Sequence, residues 1–155
     1  MTSTLYLADT IATMNARNEV LTAGAVLVTN KSIAAIGSAA SLKSQYPGAT
    51  VVNLENSLLM PGLVNTHCHS GLLRGTAEGL PVWAWLQQYI DPMHRVIHAD
   101  EAALASRLCY AEALLSGTTT IVDMWRHMQG SAEAALHQGI RAVLVPYVAE
   151  HPDHD

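Results

Sequence analysis

Two histidines one residue apart, His67 and His69, are the side chains whose types and spacing best suit metal chemistry. They close the run Met60-Pro61-Gly62-Leu63-Val64-Asn65-Thr66-His67-Cys68-His69, in which no charged residue precedes them. If this run is a buried β-strand, its period of two places both imidazoles on one face. Both rings can then reach one divalent metal ion, for which imidazole suits zinc or ferrous iron, although the spacing alone is a weak signal. A pair of hydrogen-bonded core histidines is the other interpretation.

Composition narrows the classes of partner. The chain has 155 residues, of which 50% are hydrophobic, and a formal net charge of −5. This length and hydrophobic fraction are enough for one domain with a hydrophobic core. The negative net charge excludes a basic surface that would bind nucleic acid or an anionic membrane. Cys68 and Cys109 are too few for a disulfide scaffold, and we find neither a signal peptide nor an apolar run near the roughly 20 residues of a membrane span. These features predict a cytoplasmic protein that acts on small molecules.

Residues 1–59 show short apolar segments separated by turn residues, which predict small antiparallel strands. Asn30-Lys31 suits a hairpin turn, Ser38 to Ser44 a short helix and Tyr46-Pro47-Gly48 another turn. The predicted strands are Leu5 to Met14, Gly24 to Val28, Ser32 to Ile36 and Thr50 to Leu54.

After Pro61 the pattern changes to strands that alternate with helices, which is typical of a parallel α/β architecture. The predicted strands are Leu63 to His67, Thr118 to Met124 and Arg141 to Val148. Asp100 is the predicted N-cap of a helix that ends at Gly117, while Ser131 and Gly139 bracket a shorter one. Pro81 begins an added helical turn. The buried face of the helix that starts at Asp100 is predicted to carry Leu104, Leu108, Ala111 and Leu115.

Four ordered blocks of this sequence resemble the amidohydrolase superfamily, in particular the branch of S-adenosylhomocysteine and methylthioadenosine deaminases and triazine chlorohydrolases. The resemblance covers almost the whole chain. The blocks are Met60 to His69, Leu72-Leu73-Arg74-Gly75-Thr76-Ala77-Glu78, Trp85-Leu86, and Gly117-Thr118-Thr119-Thr120-Ile121-Val122-Asp123-Met124.

The resemblance implies a metal-dependent hydrolase with a (β/α)8 barrel beside a small β-sandwich. Residues 1–59 would then be N-terminal strands of the sandwich, and residues 60–155 the first units of the barrel, ending after the third strand. His67 and His69 would be the first two metal ligands. The remaining ligands and the residues that transfer protons would come from later strands, so that no catalytic residue lies within this chain and it should be inactive alone.

The chemistry of such a site fits the residues present. A bound cation brings the pKa of water toward about 7 and so provides a nucleophile at neutral pH. This water would add to a ring carbon of a heterocycle that bears an amino group or a halide. We expect one divalent metal, a heterocyclic small-molecule substrate, the remainder of the barrel from the same parent chain or a second chain, and a homo-oligomer when complete.

Two departures from the family pattern bear on the substrate. The nucleoside deaminases of the branch carry Pro-x-Glu after the tryptophan helix, where this chain has Pro92-Met93-His94. The arginine of their third strand aligns with Pro146. The resemblance therefore favours an aminated or halogenated heterocycle over an adenosine-type substrate.

Other residues carry paired interpretations. Trp85 is predicted to wall the substrate site, whereas Trp83 is expected to pack in the helix core. His94 is predicted to touch substrate or to be a surface histidine. Asp123 is predicted to orient a ligand or substrate group, or to cap local backbone amides at a strand end.

Two further functions stay open at this point. One is a catalytically inactive truncated relative that serves binding or assembly, since a fold alone does not fix function. The other is a binuclear amidohydrolase of the dihydroorotase type. The ending His151-Pro152-Asp153-His154-Asp155 is expected to be a solvated loop, with a metal-binding tail as the alternative.

Overall fold

The computed structural model describes residues 2–72, 75 and 79–147. The chain divides into two compact units, Met1–Pro61 and Gly62–Asp155. Most of the block from Leu72 to Glu78, the end of the predicted third strand and the tail 151–155 lie outside the described residues.

The first unit contains a four-stranded sheet and one helix. Its elements are β1 (Ser3–Ala12), β2 (Val20–Thr29), β3 (Ser32–Ser38), α1 (Ala39–Gln45) and β4 (Thr50–Leu59). The strand order is β3-β2-β1-β4. The tight turn at Asn30, with a φ of 57°, makes β2 and β3 antiparallel, as the sequence predicts.

One predicted pairing in this sheet is wrong. β4 pairs with β1 in parallel, with Thr4 opposite Thr50 and Leu7 opposite Asn53, and not as an antiparallel strand. The reason is α1, which carries the chain back along the sheet so that β4 starts at the same end as β1. Ser38 caps this helix, since its side-chain oxygen accepts a hydrogen bond from the Ser41 N–H over 3.2 Å.

The second unit is built on three parallel strands in the order β5-β6-β7. These strands are β5 (Leu63–Cys68), β6 (Thr118–Trp125) and β7 (Arg141–Pro146). Leu63 and Val64 were predicted to be buried, but they are 51% and 59% exposed. The reason is that among the described elements β5 packs mainly against its neighbour β6, so the side chains at its start have little packed above or below them.

Five helical segments connect these strands. They are α2 (Val82–Trp85), a π-helical turn (Leu86–Ile90), α3 (Asp91–Val96), α4 (Ala99–Leu115) and α5 (Met128–Gln138). Within the described part of the chain, no helix combines the length and the apolar character needed to cross a membrane. Trp83 is 72% exposed on α2, so its predicted place in a helix core is wrong.

The predicted starts of α4 and α5 are also corrected. α4 begins at Ala99, because the Glu101 carboxylate accepts a hydrogen bond from the His98 N–H over 2.9 Å, which leaves Asp100 inside the first turn. α5 begins at Met128, and Ser131 is a buried residue inside the helix. The predicted ends hold, since Gly117 and Gly139 follow the helices with φ angles of 86° and 76°.

The leucine face predicted for α4 faces away from the core. Leu104, Leu108 and Leu115 are 66%, 58% and 88% exposed. The buried face carries smaller residues and one tyrosine, namely Ala102, Ala105, Ser106 and Tyr110. A Cβ atom on Gly130 of α5 would lie 2.4 Å from the Cβ atom of Ala103, so α4 and α5 approach too closely for leucine between them.

Candidate metal centre

His67 and His69 lie together at the C-terminal end of β5. Their Nε2 atoms are 3.1 Å apart, and the rings meet edge to face at an angle of 88°. Two ligands of a tetrahedral zinc ion, each at 2.0–2.1 Å, would hold their nitrogens about 3.3 Å apart. The pair is therefore already close to the geometry that one metal ion needs, and the same distance also suits a hydrogen bond between the two rings.

The main chain of β6 fixes the orientation of His69. Its Nδ1 atom lies 2.8 Å from the carbonyl oxygen of Met124. Because a carbonyl only accepts, Nδ1 must carry the proton, which leaves the lone pair of a neutral ring on Nε2. Such a bond on the far nitrogen is how a metal-binding histidine is normally held.

These two histidines make only part of a metal site. Among residues 2–72, 75 and 79–147 no group of three or more His, Cys, Asp or Glu side chains is placed to hold a metal ion. Catalytic zinc normally has three protein ligands and one open position. The residues described here fit two of the ligands and supply no third.

Asp123 lies behind the pair, fully buried in β6. Its Oδ1 accepts a hydrogen bond from the Ser70 N–H over 2.8 Å, and its Oδ2 accepts from the Tyr110 hydroxyl over 2.5 Å and from the Ser70 hydroxyl. The carboxylate therefore caps a backbone amide, though not a local one as predicted, since Ser70 lies 53 residues away in the sequence. That amide belongs to the residue directly after His69.

Ser70 and Tyr110 were missed in the sequence. Ser70 follows the histidine motif directly, which was the available signal, but serine after a strand is too common to single out. Tyr110 was hidden by the apparent leucine face of α4. Its pKa is raised above the ordinary value, first by burial and then by the hydrogen bond to Asp123 and the charge of that carboxylate.

A cleft of about 200 Å³ opens beside His69. It is smaller than the 300–1,000 Å³ of typical ligand pockets. Trp85 and His94, the two residues predicted to contact substrate, both line it. The other lining residues are Leu72, Leu86, Ile90, Asp91, Met124, Trp125 and Tyr147.

Aromatic rings hold His94 in the wall of this cleft. Its ring stacks on Trp125 at a centroid distance of 4.2 Å and lies 5.3 Å from the ring of Tyr147. Arg126 donates a hydrogen bond to the carbonyl oxygen of His94. The imidazole is thus partly buried and faces the same space as His69.

Cys68, between the two histidines, contacts α4. Its Sγ atom lies 3.7 Å from that of Cys109, and the two cysteines are not joined by a disulfide. The pKa of the Cys68 thiol is raised, mainly by the interaction with Cys109 and then by burial. Cys68 therefore acts as a packing residue that joins β5 to the helix.

The sequence model of the Amidohydrolase family matches residues 58–154. This chain belongs to the amidohydrolase family. A second model, the bacterial Imidazolonepropionase-like composite domain, matches residues 24–49 in the first unit.

Among curated relatives, a 5-methylthioadenosine/S-adenosylhomocysteine deaminase of Caldicellulosiruptor saccharolyticus is 39% identical over 138 residues, which is 87% of this chain and 32% of the relative. The deaminase of the same name from Syntrophobacter fumaroxidans is 37% identical, over 83% of this chain and 30% of the relative. The chain therefore spans about a third of the length of the curated relatives it matches.

Solved structures agree with the family. An adenosine deaminase from Xanthomonas campestris with bound zinc matches with a TM-score of 0.83 and 34% identity, over 92% of this chain and 33% of that one. An atrazine chlorohydrolase from Arthrobacter aurescens TC1, complexed with zinc, matches with a TM-score of 0.81 over 92% of this chain and 35% of that one, and its 22% identity shows the fold alone.

These comparisons confirm the family and the fold class predicted from the sequence. The α/β arrangement matches the N-terminal part of amidohydrolase barrel proteins. The family is one of hydrolases, and the two curated relatives named above are deaminases.

Proposed function

We propose that this chain carries the first metal-binding strand of a metal-dependent hydrolase that cleaves a C–N bond, by deamination, or a C–halogen bond of a heterocyclic small molecule. The observation that supports it most is the His67–His69 pair, with Nε2 atoms 3.1 Å apart and the His69 Nδ1 atom held by the Met124 carbonyl. The Nε2 atoms of both rings thereby lie close to one point, and that of His69 carries its lone pair there.

In this proposal His67 and His69 are ligands of one divalent metal ion, zinc before iron. The metal would supply a water molecule acidic enough to act as a nucleophile near neutral pH. Asp123 holds the backbone directly after His69 through the Ser70 N–H. This contact keeps the end of β5 in place while the ring binds metal.

The cleft suggests where the substrate ring would lie. Trp85, Trp125 and Tyr147 give it aromatic walls beside His69, which suits a flat heterocycle. The deaminase relatives favour cleavage of a C–N bond over a C–halogen bond. His94 stands where a ribose-binding carboxylate is expected in nucleoside deaminases, so we favour an amino-substituted heterocycle other than an adenosine-type nucleoside.

Among residues 2–72, 75 and 79–147, the chain supplies two of at least three protein ligands. We propose that the other ligands and the proton-transfer residues belong to sequence outside this chain, in the same polypeptide or in a second one. Residues 1–59 would then belong to a β-sandwich and residues 60–155 to the barrel. The cytoplasmic location and the homo-oligomer remain predictions.

Metal content and turnover test the proposal. We would purify the complete polypeptide as wild type and as His67→Ala and His69→Ala, with His137→Ala as the control, because His137 is an exposed histidine on α5. Bound zinc and ammonia release from a panel of amino-substituted heterocycles would be measured. Each site variant should lose metal and activity by tenfold or more, as expected when a metal ligand is removed, while the control keeps both.

Three results would count against it. Unchanged zinc content in both site variants would remove the metal role of β5. Zinc that binds through these histidines without turnover of any tested compound would favour the inactive relative. Turnover by the 155 residues alone would overturn the claim that other sequence completes the site.

A further inference from the structure

Four buried hydroxyl and carboxyl side chains form a row that runs from α5 to β6. The Ser131 and Ser106 oxygens are 2.8 Å apart, and those of Ser106 and Ser70 are 2.7 Å apart. The Ser70 hydroxyl then donates to Asp123. None of these four side chains is more than 1% exposed.

The direction of the row follows from its end. A carboxylate accepts hydrogen bonds only, so Ser70 must give its proton to Asp123. Ser106 must therefore donate to Ser70, and Ser131 to Ser106. Tyr110 adds a second hydroxyl donor to Asp123 over 2.5 Å. Each serine hydroxyl of the row therefore donates in the direction of Asp123, and Tyr110 donates to Asp123 directly.

The Asp123 carboxylate is linked to His69 by two routes, one through Ser70 and one through Met124. Ser70, which donates to it twice, follows His69 in the chain. Asp123 precedes Met124, whose carbonyl oxygen accepts the Nδ1 proton of His69 over 2.8 Å. Any shift between Ser70 and Asp123 would therefore change the distance between the His69 ring and its acceptor.

We propose that Ser70 and Tyr110 are positioning residues that hold Asp123, and through it the His69 ring, in the orientation in which Nε2 is free for metal. The inference rests on the proposed function, since it assigns this orientation to metal binding. In this role neither side chain is a metal ligand. They act by fixing the ends of β5 and β6 against each other.

The orientation of His69 can be read without metal. Nitrogen NMR of the imidazoles in the 155-residue chain, recorded at about pH 8, reports which ring nitrogen carries the proton. Wild type should show His69 protonated on Nδ1. Ser70→Ala and Tyr110→Phe should show a mixture of both tautomers, because a ring released from its acceptor exchanges between them.

A second readout is the binding of Co²⁺ to the complete polypeptide, followed by its visible absorption bands. We expect Ser70→Ala and Tyr110→Phe to weaken Co²⁺ binding about tenfold, as is typical when a group that holds a metal ligand is removed. Ser70→Thr, which keeps the hydroxyl, should restore the wild-type tautomer and affinity.

Ser131→Ala is the control, because it removes an equally buried hydroxyl that bonds to Ser106 and Tyr110 rather than to Asp123. It should lower stability yet leave the His69 tautomer and the Co²⁺ affinity unchanged. The inference is overturned if Ser70→Ala and Tyr110→Phe lower the melting temperature alone, as Ser131→Ala does. If Co²⁺ binding is indifferent to His67→Ala and His69→Ala, the proposed function fails instead, and the tautomer result still stands on its own.

Discussion

Gly71 packs directly on the indole of Trp125: a Cβ atom at Gly71 would lie 1.8 Å from Nε1 of Trp125. The indole is 1% exposed and its ring stacks on His94. The turn after the histidine motif and the aromatic wall of the cleft are therefore in contact. Glycine at position 71 lets the backbone come this close.

Gly71→Ala should destabilise the protein by about 1–3 kcal/mol, since overpacking a core forces neighbouring groups to move. Gly48→Ala is the control, because a Cβ atom there would meet nothing within 4 Å. Urea unfolding followed by circular dichroism would compare the free energies of unfolding. Equal effects of the two substitutions would contradict the close contact.

Tyr110 should make stability depend on pH in the alkaline range. Its pKa is raised in the folded protein, first by burial, so the folded state keeps a proton that the unfolded state loses above about pH 10. The stabilisation is complete below that pH and is lost above it, by at most about 1.4 kcal/mol per pH unit. Urea unfolding between about pH 9 and pH 11 should show a steeper fall for wild type than for Tyr110→Phe. Parallel slopes would rule out this contribution.

The exposed face of α4 makes a further prediction. Leu115→Ala should change the free energy of unfolding by no more than about 0.5 kcal/mol, because Leu115 is 88% exposed. Ile121→Ala in the same unit should cost about 2–5 kcal/mol, because Ile121 is fully buried. Thermal unfolding of the 155-residue chain would compare them, and a large effect at Leu115 would restore the leucine face as core.

The start of α4 can be tested in the same way. Glu101→Ala removes the acceptor of the His98 N–H and should cost about 0.5–1 kcal/mol. Glu101→Gln keeps an acceptor and should cost less. Asp100→Ala should cost only the few tenths of a kcal/mol of a charge near the helix N-terminus. If Asp100→Ala proves the more costly change, the helix is capped where the sequence pattern first indicated.

Local signals in the sequence were sufficient for much of this fold. Turn residues marked the hairpin at Asn30 and the helix ends at Gly117 and Gly139, because each of these depends on a few neighbouring residues. The His67–His69 pair was found because strand periodicity alone places both rings on one face.

The features of the fold that the sequence did not predict depend on contacts between residues far apart in the chain. The parallel pairing of β1 with β4 depends on where α1 sends the chain. The buried face of α4 is set by the close approach of Gly130 to Ala103, which hydrophobicity does not encode. The stacking of His94 on Trp125 joins α3 to β6, and no spacing pattern in the sequence predicts this contact.

The place of β1 in the first sheet has a consequence for how that unit assembles. β1 lies between β2 and β4, and its pairing with β4 joins Thr4 to Thr50. During synthesis the hairpin partner β2 is available early, whereas β1 must wait for β4 to leave the ribosome before its second side is paired. Closing so long a loop is slow compared with forming a hairpin. Within this sheet β1 is thus made before its partners, yet both of its sides are paired only after β4 has been made.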